Sequence, residues 1–566
     1  MKLAKLCICR PFIPTEKTDC LDCTFYFVDS EFIDPISVLE VCKAYGEIYI
    51  EEYIYMLIKE EIKDISFKIK EIDNIVTEMS VGRKKMRVAF LASSDTHVQF
   101  MQQLAKKFDE YLYLIPARHC KDDAAAQALI KEGEEFIEID YKADTCDALL
   151  DFHPCFVFCS ADWTSEYLAL RRIVRETDIK IIALQEGPQD WHFRIWQNGR
   201  LKVLNHYRNA DIIFSTGAKT LNYIRPKYFA VTGNPKVSAM TDKEWPERPK
   251  VLINCNFTYI KTKPPYEGKR NLWMESVLKV CKKLRIDYII SKHPRDLSAW
   301  EKEPIINSNA YLIRNQIENC SICISRFSSI LYETLCMGRE SVYYNIHLEP
   351  MPTFQDEKDS IIPYVTEEEK LEEILREHMT TYPARPNQQV AEMYLNRHMS
   401  KLDGRVNNRI LNCMVMLGKH TVGNIDELKE NVGYRKEIEL PEEKRLLETK
   451  RNAAILFETP NISKGEYEQW IDFAEILADH QWKVFLILHK YSEEFTTKMY
   501  YQEHQRIEVI LTREYQIDFC GIKMNHLFIA KEIMQIDKYR DSINTVISNA
   551  EEVTIVEDID EVKISE

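Results

Sequence analysis

No stretch of the 566 residues is apolar for long enough to cross a bilayer, which takes about twenty consecutive apolar positions, so no transmembrane span is expected. The opening MKLAKLCICRPFIP pairs lysines with apolar residues as an export signal would, but Arg10 and Pro11 break the run too early. Without such a signal the expected location is cytoplasmic, and the 16 cysteines are expected to be free, small buried hydrophobes. Basic residues are not in excess: 75 Lys and Arg face 90 Asp and Glu, a net charge of −15. That balance argues against a general nucleic-acid binder, which needs a basic face to displace counterions. Low-complexity tracts and long exact repeats are missing as well. The metal-binding pattern Asp-x-Asp is absent from the two main domains and occurs at Asp558 to Asp560, in the acidic tail, where a solvated charge run is the simpler reading.

What remains is the composition of a soluble globular enzyme, with 45% hydrophobic and 29% charged residues. The length suggests about three or four domains. Cys7, Cys9, Cys20 and Cys23 lie close enough in sequence to close around a zinc ion. The first pair, however, is separated by one residue in a strand-like run, unlike the hairpin-like pairs of structural zinc sites, and zinc is not expected there.

Residues 1–85 read as a mainly helical N-terminal element, because the long run from Asp34 to Val76 has an amphipathic helical period. From Met86 the rhythm changes to short β-branched or aromatic runs alternating with helical segments: RVAFLAS, YLYLIP, EFIEID, CFVFCS, KIIALQ, DIIFST and YFAVTG. Such alternation predicts parallel strands with helical crossovers, a doubly wound Rossmann-like domain over 86–245. After the hinge-like TDKEWPERPK the rhythm restarts with KVLINCNF, IDYIISKHP, AYLIR, CSICIS and SVYYNI, predicting a second such domain over 246–420. The fold class is thus α/β, with two Rossmann-like domains facing across a cleft, the GT-B arrangement. The helical stretch PNQQVAEMYLNRHMSKLDGRVNNRILNCMVMLG is expected to cross back and fasten the second domain to the first. Residues 435–566 show a strand-helix-strand pattern of their own, read as an additional α/β domain, the front half of a transferase-like one.

Three places at predicted strand ends could carry chemistry. In IIALQEGPQDW, Glu186 and Gly187 follow an apolar strand, where a carboxylate can serve as a general base or simply be a polar turn. In YIISKHPRD, His293 ends a strand and is followed by Pro294 and Arg295; a histidine there can donate to a phosphate, or it can be a satisfied core residue. In CISRFSSILYETLCMG, Arg326 stands beside Ser328 and Ser329 at a helix start. One serine is accounted for by capping; two hydroxyls, free amides and a guanidinium together can neutralise a nucleotide phosphate without a metal.

Acidic-Gly in the first domain, then His-Pro and Ser-Ser in the second, each at a strand end and in that order, resemble the motifs of bacterial GT-B sialyltransferases and of capsule-type transferases that use CMP-Kdo. KLDGRVNNRIL is similar to an Asp-Gly-x-x-x-x-Arg segment near the end of related capsule and CDP-glycerol transferases. The resemblance covers roughly residues 86–418. It implies a metal-independent glycosyltransferase without a bound cofactor, taking a CMP-activated acidic sugar to a surface glycan or glycolipid acceptor. Glu186 would be the catalytic acidic residue, His293 the contact to the CMP phosphate, and Ser328 and Ser329 the pair that binds that phosphate. Gln185 stands where a second acidic residue often occurs, which favours a Kdo-like or diverged donor.

Two other functions stay open at this level. CDP-linked polyol phosphate transfer of the teichoic-acid type shares the His-Pro and serine features but uses histidine-Gly where this chain has Glu186-Gly187; epimerases of the same double-domain fold lack the three-part order. A non-catalytic scaffold of a polysaccharide assembly complex would use the N- or C-terminal region to bind a protein partner. Peripheral association with a membrane is compatible with either.

Overall fold

The computed structural model describes residues 5–433 apart from internal segments, of which 256–264, 293–302 and 348–359 are the longest, and beyond them chiefly the strands of a C-terminal sheet. Two compact units result: one holds 1–190, 206–349 and 357–437, the other 191–205, 350–356 and 438–566.

The first unit contains both predicted Rossmann-like sheets. Its larger sheet is built from β1 (Lys5–Cys9), β2 (Thr24–Phe27), β3 (Glu47–Glu51), β4 (Lys68–Ile72), β5 (Arg87–Leu91), β6 (Glu110–Pro116), β7 (Phe136–Ile139), β8 (Phe156–Cys159), β9 (Lys180–Leu184), β10 (Ile212–Ser215) and β11 (Tyr228–Val231). The order is β4-β3-β1-β2-β11-β10-β9-β8-β5-β6-β7, with every neighbouring pair parallel. From β5 onward the order is doubly wound: β6 and β7 are laid on one side of β5, then β8 to β11 on the other. The reversal falls between β5 and β8, and ligands of open α/β sheets bind at the carboxyl ends of strands at such a point.

The N-terminal residues differ from the helical element expected. Four parallel strands join the same sheet through β2, whose Phe25, Tyr26 and Phe27 register with Tyr228, Phe229 and Ala230 of β11. The run that looked continuously helical alternates instead: helix Pro35–Cys42, strand Glu47–Glu51, helix Glu52–Ile62 and strand Lys68–Ile72. Short runs such as EIYIE satisfy both periods, and only a neighbouring strand decides between them. The seam is aromatic. Phe25 stacks on Tyr228 with ring centroids 5.3 Å apart, Tyr26 on Phe229 at 4.9 Å, and all four rings are buried.

The second sheet comprises β12 (Lys250–Cys255), β13 (Asp287–Lys292), β14 (Ile306–Asn307), β15 (Ile322–Ser325), β16 (Glu340–Tyr344) and β17 (Tyr364–Val365), in the order β14-β13-β12-β15-β16-β17, all parallel. Here the reversal lies between β12 and β15. Two successive parallel, doubly wound domains flanked by helices give the chain a GT-B type architecture. The segment between them is held to the second domain: the Trp245 indole N–H donates to the Gly338 carbonyl (2.7 Å), and the ring lies against His378 and Tyr382.

The helix Gln388–Met399 packs on elements of both domains, against Pro35–Cys42 and Ala218–Asn222 of the first and Ile330–Cys336 of the second. It thus takes the fastening course expected of it. The next helix, Val406–Leu417, is locked by the Asp-Gly-x-x-x-x-Arg segment itself. Arg409 Nη1 donates to both Asp403 oxygens (2.8 and 3.0 Å), Nε to the Thr232 carbonyl after β11 (3.0 Å), and Nη2 to the Lys401 carbonyl (2.7 Å). Burial opposes ionisation of Asp403, but the Arg405 amide and Arg409 outweigh it and hold the carboxyl below its usual range. Replacing Arg409 with methionine removes the guanidinium from Asp403 and these carbonyls, while the Arg405 amide still donates to Asp403. The expected loss is about 2 kcal/mol, less than for a fully buried pair because Asp403 is partly exposed, measured as a lower urea midpoint.

The second unit is a seven-stranded sheet. Five parallel strands lie in the order Ile507–Thr512, Trp482–His489, Arg451–Glu458, Met524–Ala530, Ala550–Val556, extended by the antiparallel hairpin Arg194–Gln197 and Arg200–Val203. This corrects two expectations. Among its described residues the region carries five parallel strands in doubly wound order, more than the strand-helix-strand half expected, and the hairpin, far upstream in sequence, groups with it and not with the first Rossmann-like domain. Pairing of Leu201 with Leu511 is a long-range contact that no local pattern signals.

Candidate functional site

Three neighbouring strands of the large sheet, β5, β8 and β9, end beside its reversal point, and each is followed by a polar residue. After β5 comes His97 in the first turn of the helix Asp95–Ala105; after β8, Ser160; after β9, Gln185 and Glu186. The His97 Nε2 atom lies 3.4 Å from Glu186 Oε2 and 2.7 Å from Ser160 Oγ, which is 3.1 Å from Nδ1. The side chain of His97 is 12% exposed and that of Glu186 36%, while Ser160 is buried. A carboxylate that reaches solvent is therefore backed by an imidazole, itself backed by a hydroxyl.

The turn that carries Glu186 is fixed by Gln185, whose side chain is fully buried. Its amide nitrogen donates to the Gly187 carbonyl (2.7 Å), and its oxygen accepts from Ser215 Oγ (3.0 Å), Thr216 N (3.1 Å) and Thr216 Oγ1 (3.2 Å). A carboxylate could not make the donation to Gly187, which gives a physical reason for an amide at this position.

In the second domain, β12 and β15 flank the reversal point, tied by Ser325 Oγ donating to Asn254 Oδ1 (3.0 Å). Arg326 follows, buried, and then Ser328 and Ser329. Ser328 Oγ accepts from the Ile330 amide at 3.4 Å. Ser329 occupies the cap position of Ile330–Cys336 without capping it, and its hydroxyl donates to Glu333 Oε1 (3.1 Å). Capping alone therefore does not account for the second serine. His293, Pro294 and Arg295 lie outside the described residues.

A continuous chain of polar contacts joins the two strand-end groups. Asn234 Nδ2 donates to the Gln185 carbonyl (2.7 Å), the Lys236 amide donates to Asn234 Oδ1 (2.9 Å), Lys236 Nζ pairs with Glu333 Oε1 (2.8 Å), and Ser329 donates to the same oxygen. Lys236 and Glu333 are both buried. The turn Pro235–Val237 also packs against the helix that carries His97.

Of the residues singled out in sequence, Glu186, Arg326, Ser328 and Ser329 are all placed at carboxyl strand ends. Sequence reasoning missed His97, Ser160 and Lys236. A signal for His97 was present: SSDTH after a core strand is a helix start whose third position carries the imidazole. Ser160 and Lys236 had none. Among the described residues no group of three or more His, Cys, Asp or Glu is placed to hold a metal ion. Cys7 and Cys9 point to one face of β1, and burial pushes up the thiols of Cys9 and Cys23. No helix among the described residues is long and apolar enough to cross a membrane.

No protein-family model and no curated protein matches the chain. Solved structures do. The putative UDP-N-acetylglucosamine 2-epimerase of Listeria monocytogenes superposes with a TM-score of 0.41 at 14% identity, over 58% of this chain and 95% of its own. The UDP-GlcNAc 2-epimerase of Neisseria meningitidis bound to UDP-GlcNAc gives 0.39 at 14%, over 59% and 100%. The wall teichoic acid polymerase TagF gives 0.39 at 13%, over 61% and 90%. Likenesses of this degree assign no activity to the chain.

Proposed function

We propose that this chain is a metal-independent glycosyltransferase that moves a Kdo- or sialic-acid-like sugar from a CMP-activated donor to a hydroxyl of a glycan or glycolipid acceptor. The observation that carries the reading is the half-exposed Glu186 carboxylate at the reversal point of one sheet, on a turn whose preceding residue, Gln185, is connected through Asn234, Lys236 and Glu333 to Ser329 at the reversal point of the next. Glu186 takes the proton of the acceptor hydroxyl as its oxygen bonds to the anomeric carbon. The bond from that carbon to the CMP phosphate oxygen breaks, and CMP leaves with the added negative charge. In this reading His293, Pro294, Arg295, Arg326, Ser328 and Ser329 make up the phosphate-binding set, whose cations and hydroxyls donate to the phosphate as its charge grows. Attack from the face opposite the leaving group makes the reaction inverting.

The test is a thermal-shift and hydrolysis screen over CMP-Kdo, CMP-sialate, CDP-glycerol and UDP-sugars. CMP at a hundredfold excess over its dissociation constant is expected to stabilise the protein by about 2.7 kcal/mol, and one CMP-sugar to be turned over. A response to CDP-glycerol or a UDP-sugar in place of CMP compounds would overturn the donor assignment. Silence towards every nucleotide would return the chain to the scaffold reading.

A further inference from the structure

His97 has no part in the reaction as written above, yet its ring is held at both ends. Helix Asp95–Ala105 is capped by Ser94, whose Oγ accepts the His97 amide (3.2 Å). In return, His97 Nδ1 accepts the backbone amide of Ser93 (3.1 Å). This is a reciprocal start related to the capping box, with imidazole in the place normally held by Glu or Gln and the amide it accepts one residue before the cap. A backbone amide can only donate, so the neutral ring must leave Nδ1 unprotonated and carry its proton on Nε2. Nε2 is the nitrogen that faces Glu186 Oε2 (3.4 Å), while Ser160 Oγ lies within reach of both ring nitrogens, 2.7 Å from Nε2 and 3.1 Å from Nδ1.

We infer that His97 is a positioning residue for Glu186: the helix start sets the imidazole tautomer, and the Nε2–H so fixed holds the carboxylate in one orientation, ready to receive the acceptor proton. Ser160, buried behind the ring, keeps the imidazole from turning away. No proton passes to His97, since Nε2 already carries one; the ring aims the base and does not replace it. The inference rests on the role proposed for Glu186.

Four variants and one spectroscopic measurement separate the two claims. With the CMP-sugar that supports turnover, His97→Ala is expected to lower kcat about ten- to a hundredfold, the worth of one hydrogen bond to a charged group, while the donor KM stays within about twofold. His97→Gln, whose amide can still donate near the Nε2 position, is expected to recover most of the loss. In a Glu186→Gln background His97→Ala is expected to cost nothing further, because the group it positions is gone. Nitrogen NMR of histidine-labelled protein, with the signal assigned by its loss in His97→Gln, is expected to show a ring protonated on Nε2. An inactive Glu186→Gln beside a fully active His97→Ala, or a ring protonated on Nδ1, would overturn the positioning role alone. A fully active Glu186→Gln would overturn the base assignment and the positioning role with it.

Discussion

Glu186→Gln is expected to lower turnover by about a hundred- to ten-thousandfold, the usual contribution of a positioned general base, while leaving CMP binding nearly unchanged. The substitution is close to isosteric, so the turn keeps its shape, and Gln185, which holds that turn through Gly187, Ser215 and Thr216, is untouched. Only the ability to accept a proton is removed. The proposed phosphate contacts belong to the other domain, so a kinetic and a binding measurement on the same variant should separate. Equal turnover in variant and parent would show that the base lies elsewhere; loss of CMP binding together with turnover would show that Glu186 acts on the nucleotide side.

Gly217→Ala is expected to destabilise the first unit by about 3 kcal/mol or more, through overpacking against an element that cannot yield locally. A Cβ built on Gly217 would stand 2.3 Å from the carbonyl carbon and oxygen of His398 and 2.6 Å from the oxygen of Arg397. These are backbone atoms in the last turn of Gln388–Met399, so relief requires the whole helix to back away. Tyr394 of that helix stacks on Tyr332, one residue before Glu333 of the Ser329–Glu333–Lys236 chain. Displacement is therefore expected to weaken nucleotide binding as well as stability. Thermal denaturation with hydrogen exchange over 388–399 checks both, and parental melting with unchanged protection would show that the helix does not close on Gly217.

Both predictions concern contacts between segments remote in sequence, whereas the strands and their ends were legible locally. Runs such as RVAFLAS, CFVFCS and KIIALQ are short, β-branched or aromatic, and bounded by polar residues, a pattern that only buried strands satisfy over so many repeats. Glu186 and the serine pair could be found because they directly follow such runs. The N-terminal strands were harder, since EIYIE is too short to separate the two periods and KIKEI sets its isoleucines three apart, a spacing that a helix also satisfies. Their identity rests on β1 lying between β2 and β3, which no local window contains.

The sequence by itself determined the alternating α/β architecture, the two successive Rossmann-like domains, and the polar residues at strand ends, because strand period and helix period are local properties of the chain. Tertiary structure alone decided that His97, Ser160 and Glu186 share one site, that Lys236 of one domain pairs with Glu333 of the next, and that the 194–203 hairpin completes the C-terminal sheet. The physical reason is strand order: β8 and β9 are laid on the far side of β5 from β6 and β7, so residues many positions apart arrive at adjacent strand ends. That order follows from how the crossover helices pack, and no periodicity within a single segment encodes it.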